Sequence, residues 1–184
     1  MRIVAGRFRG HRLAAVGKGD AGAHLRPTTD RVRESLFNVL ANTGAIDGAR
    51  VLDLFAGTGA LGLEALSRGA VQVSFVESGR VAQRLIAQNV EITRSQGEIR
   101  LIRRDATKLG ACDGPPHDLV FLDPPYGKGM GQKALAAALA GGWLAPGAVV
   151  VWEENAPMEP PEGFSLLDRR RYGETHVTVL ELDG

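Results

Sequence analysis

From Arg50 onward, short apolar runs alternate with stretches whose apolar residues recur every three or four positions, the pattern of βαβ units around a parallel sheet. The apolar runs predict strands over 50–55, 72–77, 99–103, 118–122 and 147–153. Helices fit between them over 59–68, 79–95 and 130–141, with Val81, Leu85, Ile86 and Val90 forming one face of the second. Upstream, Thr28 or Thr29 followed by Asp30 opens another helix, whose apolar positions are Val32, Leu36, Phe37, Val39 and Leu40 and which stops near Gly44. At the amino terminus, residues 2–5 and 12–16 are β-rich runs about Gly6-Arg7-Phe8-Arg9-Gly10, a small hairpin with basic residues on its turn. At the other end, 164–171 and 176–182 form a closing hairpin about Tyr172-Gly173-Glu174, after a proline-bearing loop at 155–163. The fold class is therefore α/β: a mostly parallel sheet closed by an antiparallel hairpin. An amino-terminal β appendage over 1–20 precedes one domain over 21–184.

Length and composition narrow the picture. With 184 residues, 44% hydrophobic and 23% charged, the chain suits one globular core and excludes long-range disorder. The longest aliphatic run, around 148–152, falls well short of the roughly 20 residues a membrane span needs. Arginines at 2, 7 and 9 leave no room for a signal-peptide apolar core, so no membrane partner and a cytoplasmic location are expected. The single cysteine, Cys112, excludes an internal disulfide, and histidines 11, 24, 117 and 176 are too scattered for a metal motif. The net charge of +1 hides an asymmetry: residues 1–35 carry +5 and the remainder −4, which points to a polyanion meeting the amino-terminal end. Arg2, Arg7, Arg9, Arg12 and Arg31 are the candidate phosphate contacts, while Arg169, Arg170 and Arg171 read as a solvated face.

Two segments carry candidate chemistry. Val51-Leu52-Asp53-Leu54-Phe55 runs into Ala56-Gly57-Thr58-Gly59-Ala60-Leu61-Gly62, a glycine-rich turn between a strand and a helix, where α/β folds bind nucleotides. Asp53 points an anion into that crevice, which suits a ligand amine better than a phosphate. Glu77 ends the second strand, where an acidic side chain can accept from two ribose hydroxyls, and Asp105 follows the third, within reach of a base edge. The fourth strand ends in Asp123-Pro124-Pro125-Tyr126. Two prolines fix φ and remove two backbone donors, leaving Asp123 and the Pro124 carbonyl as acceptors for an exocyclic amino group and Tyr126 as a ring on which a base can stack.

On these residues the chain resembles the class I S-adenosylmethionine-dependent methyltransferases, and Asp123-Pro-Pro-Tyr126 is similar to the signature of enzymes that methylate base nitrogens. Arg2-Ile-Val-Ala-Gly-Arg-Phe-Arg-Gly10, Arg26-Pro-Thr-Thr-Asp-Arg-Val-Arg-Glu-Ser-Leu-Phe37, Gly62-Leu-Glu-Ala-Leu-Ser-Arg-Gly69 and Trp143-Leu-Ala-Pro-Gly147 look like the RsmD family. That resemblance implies a Rossmann-like fold and transfer of methyl from S-adenosylmethionine to guanine N2 in 16S rRNA within the small ribosomal subunit, by a monomer and without a metal. It implies cofactor contacts at Asp53, Phe55, Ala56, Gly57, Thr58, Gly59, Glu77, Asp105 and Ala106, and catalysis at Asp123, Pro124, Pro125 and Tyr126. The alternatives are an adenine-N6 methyltransferase, a non-catalytic RNA-binding module, and a nicotinamide dehydrogenase in which the proline turn has no task.

Overall fold

Seven strands form one sheet in the order β3-β2-β1-β4-β5-β7-β6 in a computed structural model, which describes residues 1–15 and 29–184. In chain order the elements are α1 (Asp30–Thr43), β1 (Arg50–Leu54), α2 (Ala60–Ser67), β2 (Gln72–Val76), α3 (Arg80–Thr93), β3 (Ile99–Ile102), β4 (His117–Leu122), α4 (Met130–Ala140), β5 (Leu144–Glu154), β6 (Phe164–Tyr172) and β7 (Thr175–Leu182). β1 to β5 pair in parallel, and β7 runs antiparallel to both β5 and β6. The central strands are buried on both faces, which explains their continuous apolar sequence. One face is covered by α1, α2, α3 and the amino-terminal residues, the other by α4. No helix among the described residues is long and apolar enough to cross a membrane.

Local signals explain most boundaries. The Thr29 hydroxyl accepts from the Val32 amide at 3.2 Å and caps α1, and Gly44 ends that helix at φ 72°. On α3 the buried residues Ala82, Leu85, Ile86, Asn89, Val90 and Thr93 recur at helical spacing. Gly62 lets α2 lie close on the sheet, because a Cβ there would sit 2.5 Å from the Phe75 ring. β5 begins at Leu144, three residues before the predicted start, since Leu144 pairs with His117 ahead of an irregularity in the register.

The amino-terminal hairpin is shorter than expected: Ile3 N–H donates to the His11 carbonyl at 3.0 Å, Gly10 N–H to the Ile3 carbonyl at 2.9 Å and Leu13 N–H to the Met1 carbonyl at 3.0 Å. Residues 2–5 and 12–15 form a single antiparallel bridge, Arg2 to Arg12, and residue 16 lies outside the described residues. The donors of Val4 and Ala5 go to the Glu64 carboxylate at 2.9 and 3.2 Å instead of to a second strand. Glu64 also accepts from Arg33 Nε at 3.1 Å and Arg68 Nε at 2.9 Å, while Arg33 donates to the Arg2 carbonyl and to Asp30. Glu64 and Arg33 are fully buried, and such a carboxylate is stable because all its neighbours are charge-assisted donors. Ile3, Phe8 and Leu13 are buried in the same apolar layer as α1 and α2. Residues 16–20 of the predicted appendage lie outside the described residues.

Candidate active site at the ends of β1 and β4

The chain leaves β1 for α2 on one face of the sheet and leaves β4 for α4 on the other. A crevice opens between diverging connections of this kind, at the carboxyl ends of the two strands. Leu54 and Leu122 are register partners, so the glycine loop and the Asp-Pro-Pro-Tyr turn start side by side.

The loop from Phe55 to Gly59 folds back tightly. Phe55, Gly57 and Gly59 have φ of 57°, 61° and 81°, and the first is a strained conformation for a bulky residue. Backbone bonds hold it: Ala56 N–H donates to the Val76 carbonyl at 3.1 Å, and Gly59 N–H to the Ala56 carbonyl at 2.9 Å. Asn89 of α3, fully buried, donates through Nδ2 to the Thr58 carbonyl at 2.8 Å and to the Ala14 carbonyl at 3.1 Å, and accepts from Ala14 N–H at 2.6 Å. One side chain thereby joins the loop to the amino-terminal segment.

The three predicted carboxylates end up in different environments. Asp53 is 1% exposed, and its Oδ2 accepts from Gly62 N–H at 3.1 Å, in the first turn of α2. Burial pushes its carboxyl well above the usual carboxylate range, the Gly62 amide opposes this, and the charges of Asp123 and Glu77 add to it. Glu77 grips backbone at both oxygens: Gly57 N–H at 2.8 Å and Gly79 N–H at 2.8 Å. Asp105 caps the short turn Ala106–Lys108, accepting the Thr107 amide at 2.9 Å and hydroxyl at 2.7 Å. Those Thr107 bonds lower its pKa. Ala106, the first residue of that turn, is buried. Asp53 and Glu77 thus share the rim of the glycine loop, with Asp105 one strand further out at the end of β3.

The proline turn is fixed by its neighbours. Tyr126 Oη lies 3.3 Å from Thr175 Oγ1 at the start of β7. Glu154, the 4%-exposed last residue of β5, accepts Gly127 N–H at 3.0 Å and Asn155 N–H at 3.2 Å through Oε1. Sequence reasoning missed Glu154, Thr175 and Asn89. The available signal was a charged residue closing an apolar strand, Glu153-Glu154 after Val149-Val150-Val151-Trp152.

The basic candidates lie in the amino-terminal segment and at the start of α1, with Arg2 and Arg12 bridged. Arg2, Arg7, Arg9, Arg12 and Arg31 are all exposed, but Arg7 Nη1 meets Glu98 Oε1 at 3.0 Å and Arg2 pairs with Asp30 at 3.6 Å. The Arg7 amide donates to the Ser67 carbonyl, at the end of α2 away from the glycine loop.

Sheet order, antiparallel β7 and a glycine loop leaving the central strand define the class: the fold is that of the class I S-adenosylmethionine-dependent methyltransferases. Within it, the chain belongs to the family described as Conserved hypothetical protein 95, whose model matches residues 1–181. The ribosomal RNA small subunit methyltransferase D of Escherichia coli (strain K12) is 40% identical over 169 residues, 90% of this chain and 82% of that protein. Its counterpart of the same description in Haemophilus influenzae is 35% identical over 178 residues, 94% of this chain and 89% of that one. Among solved structures, yhhF from Escherichia coli superposes with a TM-score of 0.85 at 37% identity, covering 100% of this chain and 98% of that chain.

Proposed function

We propose that this protein methylates the exocyclic N2 of a guanine in small-subunit 16S rRNA, with S-adenosylmethionine as methyl donor. The observation that carries the reading is the Leu54–Leu122 register. It sets an acidic-based glycine loop beside Asp123-Pro-Pro-Tyr126 in a chain 40% identical to a small-subunit rRNA methyltransferase. The crevice fits the cofactor on charge: residues 53–59 include Asp53 and no Lys or Arg, and Asp53, Glu77 and Asp123 interact within it. That suits a cationic nucleoside better than a phosphorylated one. Gly57, Gly59 and Ala56 keep the loop crest low, with Phe55 and Thr58 beside it. In this reading Glu77 takes ribose hydroxyls in exchange for a backbone donor, and Asp105 with Ala106 flanks the base; the Glu77 bond to Gly57 and the Asp105 cap support it.

When bound, S-adenosylmethionine supplies an electrophilic methyl on a sulfonium sulfur. The chain's own part is acceptance and alignment. Guanine N2 is a poor nucleophile because its lone pair is delocalised into the ring. Asp123 and the Pro124 carbonyl accept its two N–H bonds, which biases the nitrogen toward tetrahedral geometry and aims its lone pair. As the N–C bond forms and the S–C bond breaks, the nitrogen sheds one proton toward Asp123 or water. Pro125 keeps the turn rigid, and Tyr126 stacks on a base drawn out of its own stack. Arg12 and Arg31, both exposed, belong to this reading as charge-based phosphate contacts.

The test is transfer of labelled methyl to 30S particles lacking the modification, with naked 16S rRNA and DNA alongside and nucleoside analysis of the product. N2-methylguanosine is the expected product. N6-methyladenosine would replace the base in this reading, and no transfer despite cofactor binding would overturn it.

A further inference from the structure

We propose that the RNA docks on the rim formed by the carboxyl ends of the parallel strands, where Arg80, Arg103, Lys128 and Arg171 grip its phosphates, and that the arginines of the amino-terminal turn lie outside this grip. The inference rests on the rRNA reading and adds the face and the residues.

Topology gathers the four. Arg80 opens α3 just after β2, Arg103 follows β3, Lys128 lies in the loop after β4, and Arg171 is next to last in β6, which runs parallel to β5. All four are therefore at one edge of the sheet, and all four are exposed. Among the described residues none of them meets a carboxylate, and Arg171 donates only to the Gly173 carbonyl. Their neighbours are committed: Arg169 pairs with Glu159, Arg170 with Asp168, and Arg104 donates to the Leu109 carbonyl. A cation without a local anion has its charge available for a phosphate, whereas a paired one must first give up its partner.

Two of the four flank the proposed catalytic turn directly. Glu154 accepts from Gly127, adjacent to Lys128, and is the register partner of His176, which in turn pairs with Arg171. Lys128, after β4, and Arg171, on β6, thus lie on either side of the Glu154–Tyr126 assembly with β5 and β7 between them, and a strand of RNA delivering a base to Tyr126 passes between them.

The opposite rim has the opposite character. Asp47, Asp118 and Asp183 are exposed where strands begin or β7 ends, and Asp47, Asp118 and Glu181 line a recess there. The exposed carboxylates of that end disfavour a polyanion there, whereas Arg80, Arg103, Lys128 and Arg171 offer it cations around the acidic crevice. The amino-terminal turn belongs to the far end: it bonds Ser67, the last residue of α2, and its Arg7 is held by Glu98, just ahead of β3. The eight residues of α2 put it about 12 Å from the glycine loop.

The experiment measures binding of full-length protein to unmodified 30S particles in the presence of S-adenosylhomocysteine, over about 50–200 mM salt. Variants are Lys128→Ala/Arg171→Ala, Arg80→Ala/Arg103→Ala, and Arg7→Ala/Arg9→Ala. Each rim pair is expected to weaken binding about tenfold or more and to lower the log–log salt slope by roughly 0.7–0.9 per lost contact. The Lys128/Arg171 pair should leave S-adenosylhomocysteine affinity within about twofold, and Arg7→Ala/Arg9→Ala should bind like wild type. Unchanged slopes for both rim pairs, or an equal loss in Arg7→Ala/Arg9→Ala, overturn the proposal. Failure of the rRNA reading looks different: the wild-type protein would then bind DNA as well as 30S particles and leave no N2-methylguanosine.

Discussion

Two loops leave neighbouring strands of this sheet and are stabilised in opposite ways. The glycine loop after β1 is rich in backbone donors, and the fold supplies acceptors for them: Glu77 for Gly57, the Val76 carbonyl for Ala56 and the Ala56 carbonyl for Gly59. The turn after β4 has lost two donors to Pro124 and Pro125, so it has little backbone with which to anchor itself. It is held at its far end, by Glu154 on Gly127 and by Thr175 on Tyr126. A loop that must bend around a ligand keeps its donors and takes its order from nearby carboxylates. A turn that must present acceptors gives up its donors and takes its rigidity from the next strands. The closing hairpin of β6 and β7 thereby contributes to the site without carrying chemistry.

The largest effect should come from removing the acceptor itself. Asp123→Ala is expected to lower kcat by about 10²–10³-fold, the size seen when one preorganised polar group is lost from a reaction centre. Because Asp53 and Glu77 remain, S-adenosylhomocysteine affinity by calorimetry should stay close to wild type. Wild-type turnover in this variant would remove Asp123 from the reaction and leave the proline turn a purely structural feature.

The contrast between the loops predicts a smaller effect at Glu154. Replacing it with Ala removes the acceptor that the Gly127 and Asn155 amides share at the end of the turn, a loss of about 0.5–1.5 kcal/mol because both residues are exposed and water can take its place. If that loss is met by disorder of Tyr126, kcat should fall about tenfold while S-adenosylhomocysteine affinity is unchanged. Glu154→Gln keeps an acceptor oxygen and should restore most of the rate. A fall in melting temperature with normal kcat in the folded fraction would make Glu154 a stability residue only.

The parts of this arrangement that were legible in the sequence are local. Thr29, Gly44, the strand runs and both loops are written in consecutive residues, where capping, periodicity and proline act over a few positions. The determinants that were not legible join distant positions. Glu154 reaches back 27 residues to Gly127, and Asn89 spans 31 to Thr58 and 75 to Ala14. Val4 and Ala5 carry a β-rich pattern, but periodicity does not say whether a donor faces a strand or a buried carboxylate 60 or 59 residues away. Arg33 looked like one more cation in a basic segment. Its burial against Glu64 follows from the packing of α1 on α2, which its local pairing with Asp30 does not reveal.

The smallest effect tests the glycine-loop side of the comparison through its pH dependence. Burial, with Asp123 and Glu77 nearby, raises the Asp53 pKa in the folded protein well above its unfolded value of about 3.9. The folded state therefore holds this proton more tightly than the unfolded chain does. Its contribution to stability is fully present below the unfolded pKa and is lost progressively as pH rises through the folded value. Asn at this position still offers an oxygen to Gly62 N–H but does not titrate. The wild-type melting temperature, measured without ligand from about pH 4 upward, should accordingly fall relative to Asp53→Asn and then run parallel to it once Asp53 is ionised. Curves that are parallel throughout would mean that the carboxylate is stabilised in place by the first turn of α2. The loop would then be held by its backbone bonds with no electrostatic strain stored beneath it.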